Sequence, residues 1–533
     1  MTTDVDEPVV QRNALMLAFG GLLVAMFIAA LDQTIMSTAL PTIAGQLGGL
    51  SDLPWVVTVY VLGAAATTTL WGKASDLYGR KGLLRAAIVI FIGFSAPSGA
   101  AQSIGELIAF RALQGIGAGG VMTLAMATVG DLVSPRERGR YQGYIQLTFL
   151  LASLVGPLLG GLFVDHLSWR WAFYVDVPLG LLALAVLRLH LPASPRRAAA
   201  RADYVGAGLL AATVVAVLLI ATWGGSRYAW GSAEILGLIV SAVLLLAAFV
   251  WRERRAAEPV LPLRLFRDRV FVTVSGTLFI ATVSLFAAIV FLPVFLQLVT
   301  GASATESGLL MLPLLLASAL STTAAGLVMA RTGRYKVFPV AGLAAMSAGL
   351  LLFSTLGATS SRLSAAAFMA VFGIGFGMVT QILVVAIQNA VEPHEIGTAT
   401  AAANLFRALG GSIGVAVFGV ILTGGLRHWL PIELGGRIPH GVSATGIQST
   451  PGHIHALPAP VQHAIAYAVG NSLQDVFLVA APVALVGSLV VLSLREQPLR
   501  GRSAGPAGAR TDATPQRKED PACQSSPLTP SKA

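Results

Sequence analysis

The chain of 533 residues holds a single cysteine, Cys523. One thiol excludes a disulfide framework and any cysteine-ligated zinc or iron–sulfur centre, because these need several thiols at set spacings. Charge is also scarce. Asp, Glu, Lys and Arg together make up 11% of the residues, where a soluble domain carries about a quarter. That is too little to cover the surface of a water-soluble protein of this length. No phosphate-binding glycine loop, hydrolytic motif or metal-ligand cluster occurs, so neither nucleotide hydrolysis nor enzyme chemistry is expected, and no cofactor or metal is implied. What is abundant is apolar: 55% of residues are hydrophobic and the mean hydropathy is +0.76. The composition is that of an all-α integral membrane protein.

A helix needs about 20 apolar residues to cross a hydrocarbon core of about 30 Å. Fourteen such runs occur between residues 15 and 494, the first at 15–40, the sixth at 171–190 and the last at 473–494. An even number places both termini on one side. Of the 35 basic residues, 28 fall in segments that alternate on the N-terminal side, five in the opposite loops, and two, Arg111 and Arg407, inside spans. Basic loops stay in the cytoplasm during insertion, so both termini are expected to be cytoplasmic and the protein to lie in the cell membrane. The net charge of +10 thereby becomes topological: nucleic acid loses its support as a partner, while anionic lipid headgroups suit the basic loops.

The expected organisation is a cytoplasmic N-terminus (1–13), a six-helix half (14–190), two inserted transmembrane helices (204–251) and a second six-helix half (270–494). The second half carries an outer loop at 424–471, and a disordered cytoplasmic tail rich in Pro, Ser, Ala and Gly follows at 495–533. The outer loop bears five of the eight histidines, His428, His440, His453, His455 and His463. These read as solvated side chains. The end of the loop, about 456–475, reads as an amphipathic helix on the membrane surface.

The halves repeat. A shift of 258 residues aligns Ala109 to Gly119 (AFRALQGIGAG) with Ala367 to Gly377 (AFMAVFGIGFG), Pro135, Glu137 and Gly139 with Pro393, Glu395 and Gly397, and Gly156 with Gly414. At a shift of 254, Gly72, Gly79 and Arg80 fall on Gly326, Gly333 and Arg334. Two parallel repeats with a site between them are the plan of a rocking transporter. Charge does not repeat. Asp76 becomes Ala330, Arg111 becomes Met369, and Asp32 has no acidic counterpart near Phe286. Proton chemistry is therefore expected in the first half.

Asp32 is the main candidate. It lies in an apolar span, where a charge costs about 2.5–3.5 kcal/mol on insertion scales. Arg111 reaches a similar depth from the opposite direction; it cannot lose its charge, needs a partner, and Asp32 can supply one. Gly72, Asp76, Gly79, Arg80 and Lys81 form an inner loop able to latch one closed state, with Asp76 free to meet a helix N-terminus or a basic side chain. Gly156, Pro157, Gly160 and Gly161 permit close helix contact and a kink. Trp55, Tyr60, Gln146, Gln381, Asn404 and Arg407 are candidates to line a substrate cavity.

The stretches Leu31 to Pro41 (LDQTIMSTALP), Gly72 to Lys81, Arg111 to Gly115 (RALQG), Gly156 to Gly161 (GPLLGG) and Trp169 to Gly180 (WRWAFYVDVPLG) resemble the signatures of fourteen-span drug:proton antiporters of the major facilitator superfamily. The resemblance covers about residues 14–494. It implies the major facilitator fold, proton coupling at Asp32 and Arg111, and an export role for the element at 156–161. The acids that cation-exporting relatives carry in late spans are not evident, since Glu306 and Asp475 sit near outer ends. The function expected is proton-driven export of amphipathic or cationic drug-like small molecules by a monomer. The alternatives are a dedicated exporter of one endogenous metabolite, lipid or siderophore, and a transport-inactive sensor or assembly protein.

Overall fold

The computed structural model describes residues 7–47, 53–133, 135–192, 203–225, 227–302, 304–357, 360–434 and 458–498. The N-terminal half is α1 (Glu7–Leu47), α2 (Leu53–Tyr78), α3 (Arg80–Ala100), α4 (Ile104–Leu132), α5 (Pro135–His166), α6 (Trp171–Tyr174) and α7 (Asp176–His190). Then come α8 (Tyr204–Trp223) and α9 (Ala233–Glu253). The second half is α10 (Arg269–Leu298), α11 (Ala304–Leu310), α12 (Leu312–Thr332), α13 (Val337–Phe353), α14 (Arg362–Ala390), α15 (Ile396–Glu433) and α16 (Ala459–Leu492). Thirteen described segments are long and apolar enough to cross a membrane, and α13, of 17 residues, is a shorter apolar helix. Together they match the fourteen apolar runs.

The packing repeats with the sequence. α1 packs on α5 as α10 does on α15; α2 and α3 pack on α4 as α12 and α13 do on α14; α1 meets α7 as α10 meets α16. Glycines enforce the match. A Cβ on Gly115 or Gly119 would strike the α2 backbone at Tyr60 and Ala64, and one on Gly117 would strike α3 at Phe91. Their repeats behave alike: Gly373 and Gly377 lie on Leu314 and Ser318 of α12, and Gly375 lies on Gly342 and Met346 of α13. Residues four apart share a helix face and the one between them faces the other neighbour, so this spacing lets α4 and α14 each touch two helices at backbone distance. Between the halves, α2 packs against α15 and α5 against α12, a symmetric pair of seams. The inserted α8 and α9 pack on each other, and α8 leans on both α2 and α15, so the insertion lies against one seam.

Four features differ from the sequence reading. The sixth run breaks at Val175 into α6 and α7, because Pro178 has no N–H to give the Tyr174 carbonyl. Residues 424–433 continue α15 and residues 459–471 belong to α16, so the loop expected at 424–471 is shorter at both ends. The surface helix expected at 456–475 is not separate: from Ala459 onward it is one 34-residue helix with the last span. Ile465, Ala468, Val469, Leu473 and Val476 carry its apolar stripe into the core at helical spacing, and the helix runs on through Gly470 and Pro482 to the end of the span. Finally, residues 495–498 are held rather than loose. Glu496 accepts from the Lys336 N–H at 3.0 Å and from the Tyr335 N–H, and the Gln497 N–H donates to the Tyr335 hydroxyl at 3.0 Å. The rest of the expected tail and His440, His453 and His455 lie outside the described residues.

Candidate functional site

α1 and α4 cross so that Asp32 and Arg111 meet in the interior of the first half, at 1% and 0% exposure. Arg111 Nη1 lies 2.7 Å from both Asp32 oxygens. Its Nε reaches the Val56 carbonyl at 3.4 Å, and its guanidinium lies 4.1 Å from the centre of the Tyr60 ring, where the π face favours a cation. The Tyr60 hydroxyl donates to the Ala29 carbonyl at 3.3 Å, tying α2 to α1 beside the pair. The span-1 acid and the span-4 arginine singled out by scarcity of charge are thus one ion pair. Such a pair survives in an apolar interior only with good geometry and further hydrogen bonds.

Two partners were missed in the sequence. Gln114, one turn from Arg111, accepts from Arg111 Nη1 at 3.0 Å and donates through Nε2 to Asp32 at 3.2 Å and to Asp176 at 3.4 Å. Asp176, the first residue of α7, is fully buried, and its Oδ2 also accepts from the Ser95 hydroxyl at 2.8 Å. The signal was available: Asp176 is a second acid inside an apolar run, like Asp32. It was hidden in an aromatic stretch read as one signature.

The glycine–proline element packs on the same turn of α1. A Cβ on Gly156 would strike Thr34, two residues past Asp32, and one on Gly160 would strike Thr38, whereas Gly161 faces open space. The Thr34 hydroxyl donates to the Ala152 carbonyl at 2.9 Å, which adds a polar tie between α1 and α5.

The second site is the loop from Gly72 to Lys81. Asp76 crosses to the other half and caps α15, accepting from the Gly397 N–H at 2.9 Å, the Thr398 N–H at 2.7 Å and the Thr398 hydroxyl at 2.8 Å. A carboxylate there satisfies orphan N–H groups and complements the helix dipole. Arg80 lies 3.4 Å from Asp76 and 2.7 Å from Asp131, so Asp76 meets both a helix N-terminus and a basic side chain. Gly72 lets α2 approach the backbone of Gly397 on α15, Gly79 takes φ 85° to turn into α3, and Lys81 bonds the Leu191 carbonyl. The connection between α9 and α10 joins this lock through Lys73–Glu258 at 2.9 Å and an Arg264–Glu395 pair. These residues line a charged cavity of about 310 Å³. Nearby, burial raises the Asp203 carboxyl, but Arg252 and the Gly206 N–H outweigh it and hold it below the usual carboxylate range.

The cavity candidates scatter. Tyr60 belongs to the ion-pair cluster, and Trp55 meets Trp223 of α8 edge-on at 5.3 Å. Gln146 donates to the Ser318 hydroxyl at 3.3 Å across the α5–α12 seam, and Asn404 donates to the Thr123 hydroxyl at 3.4 Å between α15 and α4. Gln146 and Asn404 are the same position of the repeat, 258 residues apart. Gln381 is buried with its Oε1 unpartnered among the described residues, and Arg407 is half-buried without an ion pair among them. No cluster of three metal-ligating side chains occurs among the described residues.

Comparison with known proteins bears on the family and the fold. The family model described as Major Facilitator Superfamily matches residues 22–206 and 204–415. The Mycobacterium tuberculosis protein named Uncharacterized MFS-type transporter Rv1877 is 39% identical over 490 residues, 92% of this chain and 70% of that protein. Multidrug transporter protein MdtP of Bacillus subtilis is 38% identical over 402 residues, covering 75% and 74% of the two chains. Multidrug resistance protein 3 of the same organism is 30% identical over 481 residues, 89% and 93% of the two. Among solved structures, the proton:xylose symporter XylE superposes with a TM-score of 0.61 at 16% identity, covering 92% of this chain and 98% of that one; this likeness bears on the fold alone.

Proposed function

The chain belongs to the Major Facilitator Superfamily of membrane transporters, which are not enzymes, and on that premise we propose that it is a proton-coupled antiporter exporting amphipathic or cationic drug-like molecules across the cell membrane. The buried Asp32–Arg111 pair carries this reading. A fixed cation and a titratable acid in an apolar interior form a site whose net charge changes by one when a proton binds. The names of the two Bacillus subtilis relatives support the substrate class, and the excess of basic residues on one side supports cytoplasmic termini.

The cycle follows from the two sites. With Asp76 capping α15, the halves are locked together at that end, which the charge distribution assigns to the cytoplasm, and Asp32 takes its proton from the opposite side. Protonation removes half of the ion pair and frees Arg111 from Asp32. Rocking then breaks the α15 cap and opens the cytoplasmic side, where the proton leaves and substrate enters between the halves. Gln146 and Asn404, at matching positions on the two seams, are placed to read substrate polarity.

The first test is a panel of toxic compounds on a pump-deficient host carrying the wild type or Asp32→Asn. Raised tolerance to several amphipathic compounds with the wild type, lost with Asp32→Asn, is the expected result. Tolerance unchanged by the wild type across the panel would overturn the substrate class, and equal tolerance with both proteins would overturn the coupling role.

A further inference from the structure

The site holds one cation and two acids. Arg111 closes on Asp32, with 2.7 Å to each oxygen, while the groups within hydrogen-bond reach of Asp176 are neutral, the Ser95 hydroxyl at 2.8 Å, whose single hydrogen the Phe173 carbonyl at 2.9 Å can also take, and the Gln114 amide at 3.4 Å. Both of those donors converge on Oδ2, and Oδ1 is buried with no hydrogen-bond partner among the described residues. The polar and titratable groups facing Asp176 are Asp32 from α1, Ser95 from α3, Gln114 and Arg111 from α4, and the Tyr60 hydroxyl beyond Arg111. Arg111 is the one basic residue among them. With both acids ionised the cluster would carry a net negative charge in an apolar interior, and one Asp176 oxygen would be bare. A buried charge without a partner is far costlier than a buried neutral acid.

From this geometry we propose that Asp176 is a second proton-binding carboxyl of the coupling site, holding a proton while Asp32 is paired with Arg111. Two acids then share one arginine and titrate as a unit. The inference rests on the antiport reading above and deepens it. Gln114 is the link, since its amide nitrogen touches both carboxyls and its oxygen touches Arg111. When Asp32 takes a proton from the outer side, Arg111 loses its partner, and ionisation of Asp176 supplies another. One O–H bond forms at Asp32 with the proton from the outer side, which raises the net charge of the cluster by one; one then breaks at Asp176, whose proton leaves on the cytoplasmic side once that side opens, so one proton crosses and the earlier net charge returns. The ionised Asp176 keeps Arg111 paired in the apolar interior while Asp32 is protonated.

Two measurements on the full chain test the proposal. Infrared difference spectra of the purified protein in lipid nanodiscs, taken between acid and alkaline pH, read the carbonyl stretch of a protonated carboxylic acid. A protonated-carboxyl band at neutral pH in the wild type is expected to vanish in Asp176→Asn and to persist in Asp32→Glu, which keeps a carboxylate for Arg111; Asp32→Asn, which removes that carboxylate, is expected to lose the band through ionisation of Asp176. In transport assays, Asp176→Asn gives Arg111 wholly to Asp32, so the pH midpoint is expected to move toward acid by about tenfold in proton concentration, the size of one like-charge neighbour. Asp176→Glu, which keeps the carboxyl, restores the midpoint. A band that survives Asp176→Asn, or a midpoint that does not move, overturns the proposal. If Asp176→Asn fails to fold, Ser95→Ala serves, since removing a donor that favours the ionised form carries the band to higher pH; a band that stays in place overturns the proposal. If the wild type releases no protons on substrate addition, the antiport reading fails, and the infrared assignment is still decided on its own.

Discussion

The two halves share one backbone plan and differ in charge. In the first, α4 carries Arg111, α1 carries Asp32 and α2 carries Asp76; at matching places the second has Met369, an apolar stretch around Phe286, and Ala330. Met369 is as buried as Arg111, so the difference lies in chemistry and not in depth. The glycines at 115, 117 and 119 recur at 373, 375 and 377 with the same packing duties. Close helix contact is needed in both halves for the fold, whereas the buried acid–arginine cluster occurs in one half alone among the described residues. On the proposed reading the second half is the wall against which the first half works, and α15 offers its N-terminus as the catch for Asp76.

The sharpest way to break this comparison is to make the halves alike. Arg111→Met copies the second half and leaves Asp32 buried without its cation, which is expected to cost about 3–5 kcal/mol. Thermal unfolding in detergent reads it, and Asp32→Asn added to Arg111→Met recovers much of the loss without recovering transport. Next in size is Gly156→Leu, which drives a side chain into Thr34 and is expected to cost about 1–3 kcal/mol by overpacking. Gly161→Leu, facing open space, stays within about 0.5 kcal/mol on the same assay. Asp76→Ala removes the cap on α15 and is expected to cost about 1 kcal/mol, with cysteine crosslinking or spectroscopic distances showing a shift toward the state open at that end. Ala330→Asp has no such effect. The smallest change is at the seams: Gln146→Ala and Asn404→Ala each lose about one neutral hydrogen bond, or about 0.5–1.5 kcal/mol, read as a severalfold rise in the KM of an exported dye. Similar shifts in the two variants support a shared site between the halves, and a shift in one alone argues for a cavity within one half.

The fold was legible because its signals are long and repeated: apolar runs set by membrane thickness, basic residues sorted by side, and glycines at one offset. Asp32 and Arg111 were legible because charge is rare in such runs. Asp176 obeys the same rule and was passed over, since it opens a helix that only the Pro178 break creates and lies among aromatics. Gln114 carries no charge, so its place between two carboxyls depends on how α1, α4 and α7 meet. Lys73 and Glu258, 185 residues apart, pair only once α2 and the α9–α10 connection are docked. The loop estimate failed at 424–433 and 459–471 because Pro, Gly and His between them outweighed apolar segments that extend the neighbouring helices.

The central claim is that proton movement through Asp32 drives export, and substrate-induced proton release tests it most directly. Inverted membrane vesicles are energised to an acidic interior, and a transported dye or drug is added. With the wild type the interior is expected to lose acid as substrate accumulates; with Asp32→Asn present in equal amount, substrate should produce no proton release. Full substrate-driven proton release by Asp32→Asn would contradict the account.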